Sequence, residues 1–234
     1  MCIRDRKKAQ IAKAKVQMSS LAGAIEQYKE TYGRLPASRQ LREKGVNDAS
    51  PDFTYGTVHS GPANQAPRLT NRKGEGFPAV SNPGVAYQAS NAELMAILMD
   101  VTTLPDTGVA TINENHTQNP RKTAFFTEKF NSQNVGAGLG TDLLFRDPWG
   151  SPYIVTIDLN YDNLCRDAFY RNGAVSQESG NKGHNGLTLS SETAGAWEIR
   201  APVAVWSFGP DGQINVGAKA NAGANKDNIL SWKN

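Results

Sequence analysis

Cysteine is scarce: Cys2 and Cys165 are the only two in 234 residues. Two thiols cannot build a disulfide framework. Cys165, inside the run Tyr161–Tyr170, reads as a small buried hydrophobe rather than a nucleophile. Long apolar runs are missing as well. No stretch approaches the roughly 18 apolar residues of a membrane span. The opening MCIRDR has no apolar segment behind it of the kind a signal peptide needs. Apolar residues make up 38% of the chain, low for a compact globule. The common catalytic signatures are also absent: there is no GxSxG, no Walker A and no HExxH. Gly136-Ala137-Gly138-Leu139-Gly140 is not the dinucleotide fingerprint. His59, His116 and His184 are scattered through polar loops and read as solvated residues.

The excess of basic charge sits at one end. Arg4, Arg6, Lys7, Lys8, Lys13 and Lys15 face only Asp5 within the first turns of the chain. That excess is larger than the net +3 of the whole sequence, so the remainder is slightly acidic. No general nucleic-acid surface is expected. A polybasic end beside a membrane fits the pattern, as does a solvated helix face.

What is present begins with Lys7–Tyr32. Ala14, Met18, Leu21, Ile25, Tyr28 and Tyr32 recur at steps of four and three, which makes one apolar stripe on a helix. Gly33 can take the positive φ of a helix end, and Pro36 blocks continuation. A helix this long cannot bury its stripe alone, so a sheet from later in the chain is expected across it. Met18, Leu21 and Ile25 are also the stripe residues assigned to contacts with a partner. Residues 1–6 look foreign to this helix, and the abrupt start leads us to expect a native segment upstream.

Residues 34–142 are rich in Gly, Pro, Asn and Ser. Leu41–Gly45 is expected to form a short helical turn, and Pro51, Pro62, Pro67, Pro78 and Pro83 mark loops. Ser90-Asn91-Ala92-Glu93 has the pattern of a capping box, predicting a second helix over 91–101. Residues 119–130 are expected to form a short helix or an extended arm packed down by Phe125, Phe126 and Phe130. Gly136–Gly140 reads as a flexible link. From Leu143 to residue 234 the texture becomes β. Tyr153–Leu159, Trp197–Arg200, Val203–Phe208 and Ile229–Trp232 are predicted strands, with a turn at Gly180–Gly186. The order is α+β: a long N-terminal helix packed on a small antiparallel sheet, with an irregular insertion that contains a short helix.

Two motifs form rigid turns. Asp147-Pro148-Trp149-Gly150-Ser151-Pro152-Tyr153 suits a type I turn, with Pro at its second and Gly at its fourth position. Ser207-Phe208-Gly209-Pro210-Asp211-Gly212 ends a strand, and Asp227-Asn228-Ile229 opens the last one. Oxygen-rich clusters on either side of one loop are what a hard cation uses, and a turn Asp with a strand-capping pair is the plainer reading. The loop between them has few apolar anchors, which favours a clamp. Asp158-x-Asn160-x-Asp162 starts like an EF-hand loop, but Asn163 stands where Gly is needed and Phe169 where the bidentate Glu belongs. A surface turn is expected there.

Gln27–Pro36, then DPWGSPY, SFGPDGQ and DNILSW, taken together, resemble the major pseudopilin of type II secretion systems and, more broadly, type IV pilin-like proteins. The resemblance covers roughly residues 7–36 and 143–234 and leaves about a hundred residues between them unfamiliar. It implies a pilin-like fold and a non-catalytic structural subunit of a pseudopilus or related filament, a homo-oligomer that meets other pseudopilins and inner-membrane assembly proteins. It also implies an envelope setting, with a periplasmic soluble part and membrane contact only through an apolar, methylated N-terminal half-helix not present here. Calcium is implied before the last strand, with the Phe208 carbonyl and Asp211 on one side and Asp227 and Asn228 on the other. Two departures stand out: Asn228 occupies a position that is often Asp, and the loop is longer than usual. A rival reading from another class is an envelope or surface module that recognises a glycan or protein through residues 40–140. A hydrolase with an unrecognised site is a third.

Overall fold

The computed structural model describes residues 3–44, 50–56, 82–83, 87–131, 136–190 and 196–233. Pro62, Pro67, Pro78 and His59 lie outside the described residues. In chain order the elements are α1 (Ile3–Tyr32), α2 (Arg39–Lys44), β1 (Phe53–Tyr55), α3 (Asn91–Leu98), β2 (Phe130–Asn131), β3 (Gly138–Gly140), β4 (Phe145–Arg146), β5 (Ile154–Ile157), α4 (Gly173–Ser176), β6 (Gln177–Ser179), β7 (Lys182–Gly183), β8 (Thr188–Leu189), β9 (Trp197–Glu198), β10 (Val203–Ser207) and β11 (Ile229–Leu230). Short 3-10 turns occur at Glu114–His116, His184–Gly186 and Gly223–Asp227. The protein is thus α+β, with a long N-terminal helix and mostly antiparallel sheets.

Helix α1 has 30 residues and spans roughly 45 Å at about 1.5 Å per residue. It includes Ile3–Arg6, the residues expected to be foreign to it; nothing in their sequence breaks a helix. Gly33 ends it at φ +65° and donates its N–H to the Lys29 carbonyl. Ala14, Met18, Leu21, Ile25 and Tyr28 are fully buried.

The stripe lies on a four-stranded antiparallel sheet ordered β1-β5-β10-β11. Phe53 pairs with Ile157 and Tyr55 with Val155; on the other side of β5, Val203 pairs with Ile157 and Val205 with Val155. Those six side chains point toward α1 and α3 in one core. The alternate residues Ile154, Ala204, Trp206 and Leu230 point the other way, into a second core with Cys165, Phe169, Tyr170, Val175 and Trp197. Every residue of β5 and β10 is buried for this reason. Alternation alone would have left one face wet. Residues 164–189 and 196–199 supply the cover, using the antiparallel sheet β6-β7-β8-β9.

Several local expectations are revised. Met18, Leu21 and Ile25 are spent on the chain's own core and offer no surface to a partner. Helix α3 stops at Leu98 because Asp100 turns left-handed at φ +58°. The Asp100 and Val101 N–H groups then close onto the Ile97 and Ala96 carbonyls, a Schellman ending without glycine. Ser90 is the N-cap residue but makes no side-chain cap bond. Glu93 instead accepts the Tyr87 hydroxyl on both carboxylate oxygens, at 2.9 and 2.7 Å. Residues 123–129 form an extended arm; Phe125 and Phe126 pack down, while Phe130 stays 44% exposed. Gly138–Gly140 is a strand, parallel to β2 and antiparallel to β4, so the expected flexible link is ordered there by pairing. Gly180–Gly186 holds β7 and a 3-10 turn rather than a turn alone. His116 is half-buried rather than fully solvated, and its Nδ1 lies 2.8 Å from Asp100 Oδ1.

Candidate functional site: the junction before the last strand

The DPWGSPY turn forms as read. The Gly150 N–H donates to the Asp147 carbonyl, and Gly150 has φ +96°. Asp147 is fully buried and works as a clamp. Its Oδ1 accepts the Trp149 and Ser151 N–H groups, each at 2.9 Å, and its Oδ2 accepts the Ser207 hydroxyl. Burial pushes its carboxyl up to about 6, against the pull of those donors. Ser207 Oγ in turn accepts the Gly209 N–H at 3.0 Å.

Gly209 carries the chain to the third motif. It has φ +71°, and a Cβ there would stand 2.1 Å from the Asp227 carbonyl oxygen. Only glycine lets the SFGPDG turn lie against the Asp227-Asn228 peptide. Three motifs far apart in sequence therefore meet at one junction. Ser207 and Gly209 are the links that sequence reading passed over; the only signal was their place between a predicted strand and a turn.

The four residues assigned to a cation are placed as follows. Phe208 packs its ring on Trp206 in the second core, so only its carbonyl is a candidate. Asp211 is exposed and caps its own turn, its Oδ1 accepting the Gln213 N–H at 2.9 Å. Asp227 stands close enough to Asp211 for the two charges to interact. Burial first, then the Asp211 charge, pushes the Asp227 carboxyl up. Asn228 donates its amide Nδ2 to the Tyr170 hydroxyl at 2.9 Å. That bond fixes the amide and leaves Oδ1 as its free end. Asp227 Oδ1 and Asn228 Oδ1 are both buried acceptors without a hydrogen-bond partner among the described residues. A buried acceptor with no donor costs about 1–3 kcal/mol, and a hard cation would satisfy both.

The loop does not need a metal to be closed. Asn225, buried, accepts the Asn215 N–H on Oδ1 and donates Nδ2 to the Asn215 and Ala218 carbonyls, each bond 2.8 Å. Ile214 and Ala220 anchor it in the second core. The expected shortage of anchors is thus corrected; Asn225 gave no sequence signal because its three partners are all backbone.

Among the described residues no three His, Cys, Asp or Glu side chains gather as a metal cluster. A cation at the junction would rest on two carboxylates, the Asn228 amide and backbone carbonyls, which suits calcium. The Asp158–Asp162 segment is different. Asp158 accepts the Asp162 and Asn163 N–H groups at 3.2 and 2.8 Å, and Asp162 accepts the Leu164 N–H at 2.8 Å. Its oxygens are used by its own backbone, as a turn.

Compared with protein families, with curated proteins and with solved structures, the chain matches none of them.

Proposed function

We propose that this chain is a non-catalytic structural subunit of a pseudopilus-like filament, with a calcium ion held at the junction of its last strand. The observation that carries the reading is the meeting of the DPWGSPY, SFGPDG and DN motifs beside a sheet laid on a long helix. In that arrangement the junction fixes the end of β10 and the start of β11 relative to the turn before β5. Calcium supplies positive charge to the two orphaned oxygens, with Asp211 and Asp227 balancing its charge.

Assembly runs through α1, but not through its apolar stripe, which is already covered. Between Asp5 and Glu30 the face opposite the stripe carries Ala12, Val16, Ser19, Ser20, Gly23 and Gln27, small or uncharged, with residues 125–128 flanking it on one side. Val16 is 68% exposed. Among the described residues nothing lies within 4 Å of where a Gly23 Cβ would be. Backbones of neighbouring helices can approach closely along such a face. Among the described residues no helix is long and apolar enough to cross a membrane.

The site is tested by melting. With calcium at about a hundredfold over Kd, the fold should gain about 2.7 kcal/mol over the same protein in EGTA. That is a rise in Tm of roughly 5–10 °C for a domain of this size. Asp227→Ala should abolish the rise, because it removes one carboxylate and one of the orphaned oxygens. Asp106→Ala, at an exposed turn, should keep it. Coincident curves in calcium and EGTA would make the junction a plain turn and remove the metal from the reading.

A further inference from the structure

Two arginines converge at the C-terminal end of α1 without a carboxylate between them. Arg34 Nη2 reaches the Gln118 carbonyl, and Arg42 Nη1 reaches the Gln118 side-chain oxygen, each at 3.5 Å. Arg42 Nη1 also donates to the Ala37 carbonyl. All three acceptors are neutral; the two on Gln118 are long, while the Ala37 carbonyl is close. Among the described residues neither guanidinium makes an ion pair. Glu43, the one acid of α2, is taken by Arg39 at 2.6 Å. Arg34 Nε is buried with no acceptor among the described residues. Arg121 stands nearby, its guanidinium 5.7 Å from the Tyr32 ring centre.

The groups facing the pair are phenols, not acids. Tyr28 donates its hydroxyl to the Gln118 carbonyl, the same acceptor that Arg34 uses. Burial first, and the Arg34 charge second, hold the Arg42 guanidinium below its ordinary range, while Tyr28, Tyr55 and Tyr161 pull the other way. Two half-buried cations brought to one residue repel each other and give up water. A planar guanidinium is relieved best by an oxyanion that takes its N–H groups in pairs. A carboxylate neutralises one such charge; a tetrahedral dianion neutralises both. The helix end itself repels anions, so the arginines alone would hold it.

We propose that Arg34 and Arg42 form a binding site for a tetrahedral dianion, phosphate or sulfate, with Arg121 at its rim. The ligand is either the free ion or the phosphate or sulfate group of a larger molecule. The site is separate from the calcium junction and does not depend on the filament reading.

The test is a series of melts in EGTA at constant ionic strength, with chloride replaced stepwise by phosphate, sulfate, glycerol 3-phosphate or acetate. Both phosphate and sulfate stabilise proteins weakly and without saturation by exclusion from the surface, so the variant is the reference. The wild type should show a saturating rise in Tm with phosphate or sulfate that Arg42→Gln lacks, leaving only the unsaturating slope. Arg34→Gln should raise the midpoint about tenfold or more, since it removes one of two charge-assisted contacts. Saturation with glycerol 3-phosphate as well would show that a larger phosphate carrier is accepted; saturation with the inorganic ion alone would make the site one for the free ion. Parallel curves for wild type and Arg42→Gln would overturn the site. Acetate saturating as well as phosphate would overturn the dianion assignment. Arg42 is half-buried on a short helix, so Arg42→Gln should fold; the same titration read by chemical-shift changes at Gln118 serves if its melt is broadened.

Discussion

Asp167→Ala should lower stability by about 4 kcal/mol, a fall in Tm of roughly 10 °C. Asp167 is fully buried in the second core. Its Oδ2 accepts the Thr156 hydroxyl at 2.7 Å and the Trp206 indole N–H at 3.0 Å. Its Oδ1 accepts the Phe169 and Tyr170 N–H groups at 2.9 and 2.8 Å. One carboxylate thus holds the covering segment to both central strands. Alanine strands three donors in a region closed to water, the Thr156 hydroxyl keeping Thr54 as a partner, and each stranded group costs about 1–3 kcal/mol before relaxation. Asp167→Asn keeps the shape and one acceptor, so it should cost roughly half as much. A chemical-denaturation series on the three proteins reads the difference. A loss under about 0.5 kcal/mol for alanine would mean that the covering segment is held by apolar packing alone.

Ile25→Asp should be at least as damaging, at about 4 kcal/mol or more. Ile25 sits mid-stripe with no exposure, in the same core as Val203, Val205 and Ile229. None of these can solvate a carboxylate. The side chain must either stay protonated well above its ordinary range or pull α1 away from β10 and β11. Ile25→Val, which removes one methylene, should cost only about 0.5–1.5 kcal/mol. An Ile25→Asp protein melting with the wild type would show that α1 is not seated on the sheet.

The helix was legible because its signal is local. A stripe at steps of four and three needs no knowledge of what it faces, and all of its residues through Tyr28 are buried. The DPWGSPY turn was legible for the same reason, its proline and glycine each fixing one backbone angle. What lay hidden was long-range. Thr156 alternates with apolar neighbours in a predicted strand, and Thr54 lies in a stretch that reads as loop, yet their hydroxyls lie 2.9 Å apart under the second core. Nothing within β5 reports that residues 164–189 fold back over it. Asn91 reads as the first residue of a helix. It also ties α3 to the sheet region, donating to the Phe145 and Tyr153 carbonyls at 2.8 and 2.9 Å. Glu93 was assigned to the helix cap by its spacing from Ser90. A tyrosine hydroxyl three residues upstream of Ser90 won it instead, and burial pushes that carboxyl up to about 7. At the junction the motifs named the right turns, while the residues that lock them, Ser207, Gly209 and Asn225, matter through partners that sequence spacing does not show.

The claim that this is a filament subunit is tested most directly by cross-linking along the uncharged face of α1. Val16→Cys is introduced on a Cys2→Ser background, Cys165 being buried and out of reach. The protein is produced in the organism that makes it, together with its own assembly machinery, and oxidised in intact cells. The account predicts a ladder of covalent multimers at Val16→Cys and at Gln27→Cys, and none at Asp106→Cys, an exposed turn position outside α1. Monomer alone at both α1 positions, with thiols shown to be reactive, would contradict it.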